Sequence, residues 1–334
     1  MTGLAVTCKR IWPGLGIATI TGMAALFLSE HYQAPAMLFA LLLGMAISFL
    51  YQNNSPCACG IDFTASTLLR AGVVLLGLRI ALGDLAILGW QTALMLAAAI
   101  LTTIVLGIIM AKLFGMQKRF GALTGGSVAI CGASAALAIS TILPKGNNHE
   151  RDTLLTVIGV TAMSTIAMVI YPIVAGQLKM TDTEAGIFLG GTIHDVAQVV
   201  GAGYSVSESA GDMATLTKLV RVAMLMPVVL IMMAGVRRFY RANAHIDGGD
   251  VPKMPVFLIG FIALMLLNSC IQLPQFVIDT GTQISRFFLV VAITAIGMKS
   301  NLGKLAEVGM VPIVMIVFET LWIALLILGY LYFI

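Results

Sequence analysis

The chain has 334 residues, of which 59% are hydrophobic and only 10% are charged, and its mean hydropathy is +1.01. Soluble domains carry about 25% charged residues, so this composition excludes a soluble protein. The apolar runs are continuous rather than alternating, which excludes a membrane β-barrel. The net charge of +4 comes from basic residues in short loops, where they set membrane topology, so we expect no nucleic acid partner.

About eleven apolar runs are long enough to cross roughly 30 Å of hydrocarbon, which predicts an all-α polytopic protein of the lipid bilayer. With a cytoplasmic N-terminus, most Lys and Arg residues fall in cytoplasmic loops, and Lys145 and Arg151 are the exceptions. This orientation places the C-terminus outside the bacterial inner membrane in which we expect the protein. The predicted spans are 11–29, 35–51, 64–82, 86–111, 120–143, 153–178, 184–206, 214–236, 254–272, 280–298 and 306–331.

The whole chain is expected to form one transmembrane transporter domain, because no polar stretch is long enough for a soluble one. The longest polar connection, about 237–255, is predicted to be a cytoplasmic link. It joins an N-terminal half, about 1–236, to C-terminal helices at about 256–334.

An internal similarity predicts inverted repeats. Residues 68–85 align without gaps with residues 288–305, so that Gly77 pairs with Gly297 and Arg79 with Lys299. These segments belong to the third and tenth predicted spans, which run in opposite directions, as the repeats of many transporters do. Chance similarity between two apolar segments is the alternative.

Two predicted spans, the fifth and the seventh, contain a Gly-Gly pair followed by a hydroxyl residue, at 125–127 and 190–192. We interpret both as discontinuous helices near the midplane, whose free N–H groups bind an anion. Close helix packing is the alternative reading of the glycines. Two single crossings here would be parallel, so broken helices and re-entrant hairpins both stay open. The predicted substrate-binding residues of these segments are Gly125, Gly126, Ser127, Cys131, Gly132, Ser134, Gly190, Gly191 and Thr192.

A polar cluster follows the second Gly-Gly pair. His194, Asp195 and Gln198 lie within two helical turns of each other, and ionisable residues inside a membrane usually mark a functional site. We expect His194 and Gln198 to contact the substrate, and Asp195 with His194 to couple transport to H⁺ or Na⁺. The alternative is a structural His–Asp pair that holds two helices together.

Three cations in or near the spans are further candidates for contact with an anion. Lys218 and Arg221 are three residues apart and therefore share one helix face, and Arg70 is deep in the third predicted span. Snorkelling of these long side chains to the interface is the alternative for each.

No motif indicates an enzyme, a cofactor or a metal site. Cys57 and Cys59 form a C-A-C without a histidine cluster, so the five cysteines predict neither a metal site nor a disulfide framework. The G-x-S-x-G and H-E-x-x-H motifs of hydrolases are absent from the sequence, as is a nucleotide-binding loop. We therefore expect transport that does not use ATP and needs no cofactor beyond a coupling ion.

The strings GGSVAICGASAALA, GGTIHDVAQVVGAGYS and TLTKLVRVAMLMP resemble the YeiH family, to which export of sulfate or sulfite is attributed. That family is grouped with the cation/proton antiporter and anion transporter superfamily. The resemblance implies inverted repeats, a core domain that moves like an elevator against a scaffold, and a homodimer. It implies a secondary transporter of a small inorganic anion. The alternatives are a cation/proton antiporter that uses Asp195 as ion carrier and an anion channel.

Overall fold

The computed structural model describes residues 2–32, 36–51, 55–78, 82–144, 149–240, 256–271, 273–300 and 309–333, and within these ranges the regular structure is entirely helical. Among the residues in these ranges, seven helical stretches are long and apolar enough to cross a membrane, and shorter apolar helices accompany them. This supports a polytopic membrane protein. The seven stretches are Arg10–Tyr32, Ala58–Leu76, Leu88–Leu113, Arg151–Gln177, Glu208–Gly235, Gln275–Lys299 and Met310–Phe333.

The N-terminal helices pack through small residues. Gly14 of the first helix lies against the backbone of Gly60, and Gly44 of the second lies against the backbone of Gly297. Because glycine has no side chain, these helices can approach closely. Such close packing stabilises helix association in a membrane, where the hydrophobic effect does not drive it. The elements are α1 (Thr2–Tyr32), α2 (Ala36–Ala46), α3 (Ala58–Phe63), a π-helical turn (Thr64–Leu68) and α4 (Leu69–Leu76).

The two segments of the internal similarity run antiparallel where α4 packs against the helix that contains the second segment. Helix α14 (Gln275–Lys299) places Lys299 beside Asp62, donates from Ser285 to the carbonyl of Gly72, and meets the end of α4 near Leu78. An inverted repeat requires this opposite orientation. Arg79, which the alignment pairs with Lys299, lies outside the described residues.

The fifth predicted span forms a re-entrant hairpin of two helices, which we call hairpin one. Arg119, at the start of its first helix, donates to the carbonyl of Pro144, beyond the end of its second helix, at 3.3 Å. Two such helices in line would separate these residues by more than about 30 Å at 1.5 Å per residue. The same Arg119 reaches Asp152 at the start of the following helix. The helices are α5 (Leu82–Leu113), α6 (Lys118–Ala129), α7 (Ala133–Ile142) and α8 (His149–Gln177).

The seventh predicted span is also a hairpin, hairpin two, formed by α9 (Asp182–Thr192) and α10 (Val196–Val206). A Cβ built on Gly186 or on Gly203 would lie 3.1 or 3.3 Å from the same atom, the carbonyl oxygen of Ala210. In one straight helix these glycines would be about 25 Å apart. The chain therefore reverses between α9 and α10.

Eleven single crossings are therefore wrong for this fold, because the fifth and seventh segments return to the side from which they enter. Hairpin one begins beside the start of α8 and hairpin two follows the end of α8, so the two enter from opposite sides. Their Gly-Gly segments become an antiparallel pair. Arg151 now lies on the side of Lys118 and Arg119, which removes one exception to the charge asymmetry, and Lys145 lies outside the described residues.

The remaining helices surround the two hairpins. Helix α11 runs alongside α9 in the same direction, because Gly186 lies against Met213 and Gly190 against Thr217. The last helix packs against α5, α6, α8 and α9. Of the predicted link, residues 237–240 are helical, and 241–255 are outside the described residues. These helices are α11 (Glu208–Ala223), α12 (Leu225–Tyr240), α13 (Val256–Cys270) and α15 (Met310–Phe333).

Candidate functional site

The tips of the two hairpins meet inside the protein. Tip one is residues 130–132 and tip two is residues 193–195, and a Cβ built on Gly132 would lie 3.5 Å from the Cβ of His194. Each tip joins the C-terminal end of one helix to the N-terminal end of the next. The negative ends of α6 and α9 and the positive ends of α7 and α10 are thus gathered in one place.

Lys218 and Arg221 of α11 bind the negative ends. Both side chains are completely buried. The Lys218 ammonium donates to the carbonyls of Ile130 and Ile193, each at 2.8 Å, and so connects the two tips. The Arg221 guanidinium donates over 2.6–3.2 Å to the carbonyls of Val128, Ala129, Gly190, Gly191 and Ile193.

This placement differs from the prediction that Lys218 and Arg221 contact the substrate. Both side chains donate to carbonyls at the ends of α6 and α9 and at the tips, and neither residue lines the cavity beside the tips. The physical reason is that a helix that ends inside the protein leaves carbonyls without partners, and buried cations satisfy them.

A cavity of about 380 Å³ lies at the positive ends. Ala133, the first residue of α7, and Ala197, the second of α10, both line it. Its outer wall comes from the α3–α4 segment and α14, and its inner wall from α7, α8 and α10. The other lining residues are Ala65, Leu69, Val157, Ile158, Thr161, Ala162, Thr165, Asp195, Gln198, Ile296, Lys299 and Ser300.

Gln198 is the strongest indication of a ligand in this cavity. Its side chain is completely buried, and in the described part of the chain neither its amide nitrogen nor its amide oxygen has a hydrogen-bond partner. An unsatisfied buried polar group costs about 1–3 kcal/mol, so proteins rarely keep one without a use.

Asp195 also lines the cavity and serves as the N-cap of α10. Its carboxylate accepts the N–H of Ala197 at 3.2 Å, and its own N–H donates to the hydroxyl of Ser164 at 3.0 Å. The carboxylate therefore lies at a positive helix end, where a negative charge is stabilised.

His194 points away from Asp195. Its Nε2 lies 2.9 Å from the hydroxyl oxygen of Thr320 in α15. That hydroxyl donates its only proton to the carbonyl of Ile316 at 2.7 Å, so His194 Nε2 is the donor. Within the described residues, His194 Nδ1 has no partner and no hydrogen bond joins His194 to Asp195.

The Gly-Gly-hydroxyl segments are helical, and each chain reversal comes a few residues later. Gly125 packs on the backbone of α5, and Gly190 packs on that of α11. The hydroxyls of Ser127 and Thr192 donate to carbonyls four residues back, of Leu123 and Phe188, at 2.5 and 2.6 Å. Packing thus explains the glycines, whereas the helix ends lie at the tips. Gly126 and Gly191 are buried in α6 and α9 and contact Ile139 and Ile327.

The other predicted residues are divided between the tip and the surface. Cys131 is buried in tip one, and Gly132 has a φ of 62° and gives α7 no side-chain cap. Ser134 and Arg70 are exposed and do not line the cavity. The long Arg70 side chain extends outward, as snorkelling predicts.

Sequence reasoning missed a polar group at the outer end of the cavity. Lys299 forms an ion pair with Asp62 at 2.6 Å, and the Tyr51 hydroxyl donates to the same carboxylate oxygen at 2.9 Å. Burial, and next the bond to Asp62, raise the pKa of Tyr51, so this hydroxyl stays a donor. The alignment of Lys299 with Arg79 was the only signal in the sequence.

Sequence reasoning also missed Glu319, a buried carboxyl in α15 that accepts a hydrogen bond from Thr124. The sequence does contain a signal for this site, because Glu319 is the only acidic residue in the apolar run 310–333.

Residues 13–316 match the family described as Conserved hypothetical protein 698. The chain belongs to this family. It is 50% identical to the UPF0324 membrane protein TauZ of Paracoccus pantotrophus over 95% of this chain and 93% of that protein. It is 49% identical to a UPF0324 membrane protein of Chlorobaculum tepidum, over 96% and 89%. A UPF0324 membrane protein of Rhizobium meliloti is 48% identical, over 99% and 95%. The chain is thus similar to membrane proteins over nearly its full length.

Proposed function

We propose that the chain is a secondary transporter that exports a small inorganic anion, sulfate or sulfite, across the bacterial inner membrane. One observation carries the proposal. The N-terminal ends of α7 and α10 face a cavity that Gln198 also lines, and the buried Gln198 amide has no hydrogen-bond partner among the described residues, while two buried cations hold the opposite helix ends.

The electrostatics of this arrangement favour an anion. Lys218 and Arg221 neutralise the carbonyl ends of α6 and α9, so these ends do not cancel the positive end of α7, whereas the positive end of α10 is capped by Asp195. Because Gly132 gives α7 no side-chain cap, the first turn of α7 can offer N–H groups to an acceptor, apart from that of Ala135, which bonds Cys131. Helix N-termini bind sulfate and related oxyanions in this way, and the Gln198 amide adds a side-chain donor.

The position of the cavity supports an elevator movement. Its walls come from two groups of elements, with the π-helical turn, α4 and α14 on one side and α7, α8 and α10 on the other. In our proposal, the group that contains both hairpins moves against the other and carries the anion between the two membrane faces. The family resemblance supplies sulfate and sulfite as substrates, and the helix-end chemistry accepts both.

Gln198→Leu tests the binding site. We expect at least about a tenfold loss of sulfite or sulfate affinity, which equals about 1.4 kcal/mol. We also expect an unchanged or higher Tm, because a buried group without partners is removed. Counterflow of labelled anion in proteoliposomes and a thermal-shift titration measure both effects. Gln177→Leu, at the exposed end of α8, is the matched control. A lower Tm with wild-type affinity would mean that Gln198 is structural.

A cation/proton antiporter is the second candidate, because the Asp195 carboxylate lines the cavity. Asp195→Asn separates the two, since Asn caps a helix about as well as Asp but carries no charge. An anion transporter should keep its flux and bind the anion more tightly, because a negative charge has left the cavity. Loss of all transport, together with Na⁺ or K⁺ movement by the wild type, would establish the antiporter. Flux that never saturates with anion concentration would indicate a channel.

A further inference from the structure

Glu319 is a buried carboxyl that the proposed anion site does not use. It lies in the middle of α15 and is completely buried. Its Oε1 accepts the Thr124 hydroxyl of α6 at 2.8 Å, and its Oε2 has no partner among the described residues. Gly107 of α5 provides the space, because a Cβ there would lie 2.7 Å from Oε1.

Thr124 can satisfy both protonation states of this carboxyl. Its one hydroxyl proton has two acceptors in reach, Glu319 Oε1 at 2.8 Å and the carbonyl of Gly121 at 3.3 Å. An ionised Glu319 accepts that proton. A protonated Glu319 donates to the Thr124 oxygen, and Thr124 then donates to Gly121. Burial without a paired cation favours the protonated form, and the Thr124 hydroxyl supports the ionised form by donating to it.

The charges around Glu319 do not fix its state. No ionisable side chain in the described ranges forms a hydrogen bond or ion pair with it, and those on the helices packed against α15 are mostly near helix ends. Asp195 differs, because a backbone N–H stabilises its charge. Among the residues whose side chains the structure describes, the groups on these helices are Lys112 on α5, Lys118 and Arg119 on α6, His149, Arg151, Asp152 and Tyr171 on α8, and Asp182 and Glu184 on α9, with His194 and Asp195 at tip two and Lys218 and Arg221 on α11 beside the tips.

Helix α15 contacts both hairpins through neighbouring residues. Glu319 bonds Thr124 in hairpin one, and Thr320 accepts from His194 at tip two. A change in the hydrogen bond at Glu319 therefore acts on a helix that also holds the other tip.

We infer that Glu319 is a proton-binding site whose loading and release couple anion transport to a proton. One proton is bound when the carboxyl is neutral and one is released when it ionises, with Thr124 exchanging its acceptor. The inference rests on the proposed transport function and assigns its coupling to Glu319 rather than to Asp195 and His194.

Glu319→Gln is the main test, because the amide imitates the neutral carboxyl. We expect anion binding to persist while the pH dependence of transport disappears. In the wild type, coupling to one proton should change the transport rate by up to about tenfold per pH unit. The matched control Glu184→Gln changes a half-buried glutamate whose carboxylate accepts the Thr181 N–H at the start of α9, and it should leave the pH profile unchanged. Wild-type pH dependence in Glu319→Gln would overturn the inference.

Infrared spectroscopy of the purified protein gives a readout that does not need transport. A protonated-carboxyl band that titrates in the wild type should be absent from Glu319→Gln. In Thr124→Val, where the ionised form loses its donor, the band should titrate at higher pH. If the wild type and Glu319→Gln show the same titrating band, the inference is wrong. This result counts even if the variant transports poorly. If the band behaves as expected but the wild type moves no anion, the proposed function fails and the proton site stands.

Discussion

The two hairpins have the same plan but differ at their tips. In each, a Gly-Gly-hydroxyl segment near the end of the first helix packs closely on a neighbouring helix, and that first helix is followed by an isoleucine whose carbonyl binds Lys218. Tip one then continues with Cys131 and Gly132 and leaves α7 without a side-chain cap. Tip two continues with His194 and Asp195, and Asp195 caps α10.

Because of this difference, the two tips should contribute differently to anion binding. The positive end of α10 already has a carboxylate of its own, whereas the end of α7 does not. An anion in the cavity should therefore bind mainly to the start of α7 in hairpin one and to Gln198 of α10, because the Asp195 carboxylate already occupies the start of α10. The negative ends are treated alike, because one pair of cations holds both.

Removing Arg221 should have the largest effect, because it acts on both hairpins. Arg221→Met leaves the carbonyls of Val128, Ala129, Gly190 and Gly191 without this donor. At about 1–3 kcal/mol for each stranded group, we expect a loss above about 4 kcal/mol and little folded protein. Size-exclusion profiles and Tm in detergent measure this.

Lys218→Met should be milder and should affect hairpin one more. The Ile193 carbonyl keeps its bond to Arg221, whereas the Ile130 carbonyl loses its Lys218 donor. We expect a loss of about 1–3 kcal/mol. The control Arg286→Met removes an exposed cation paired with Glu208 and should change stability by less than about 1 kcal/mol. Equal Tm values for all three variants would contradict the role of these carbonyl contacts.

Gly132→Ala should weaken anion binding through tip one alone. Gly132 has φ 62° and ψ −125°, a conformation that costs a residue with a Cβ about 1–3 kcal/mol, although the nearest atoms leave room for the methyl group. We expect about a tenfold loss of affinity as the start of α7 shifts. The control Gly176→Ala adds a methyl to an exposed helical position with nothing within 4 Å and should bind normally. Normal affinity in Gly132→Ala would show that the anion does not depend on α7.

The sequence predicts the membrane class and the polar tip of hairpin two, but it cannot distinguish a hairpin from a crossing. Helices α6 and α7 have 12 and 10 residues, and with three tip residues they match the length of one span. Hydropathy is therefore the same for both folds. The Gly-Gly pairs locate the tips to within a few residues, because close packing and the helix ends occur in the same segment.

The roles of Lys218 and Arg221 were also out of reach of the sequence. Their spacing predicts that they share one helix face, but it does not predict which groups that face contacts. The carbonyls that they bind belong to residues 25 to 93 positions away, and they become unpaired only because the hairpins reverse. A cation facing a cavity and a cation capping helix ends have the same sequence pattern.

The smallest effect should come from Lys299, which belongs to α14 and to neither hairpin. It lines the outer part of the cavity, its side chain is 36% exposed, and its ion pair with Asp62 is open to solvent. Such a pair adds about 0–1 kcal/mol, so Lys299→Met should leave Tm nearly unchanged. The cation should still attract anions toward the cavity, and we expect about a two- to fivefold rise in KM that high salt removes. Lys112→Met, at the exposed end of α5, is the matched control. A rise in KM that persists in high salt would mean that Lys299 contacts the bound anion directly, and binding would then involve α14 as well as the hairpin tips.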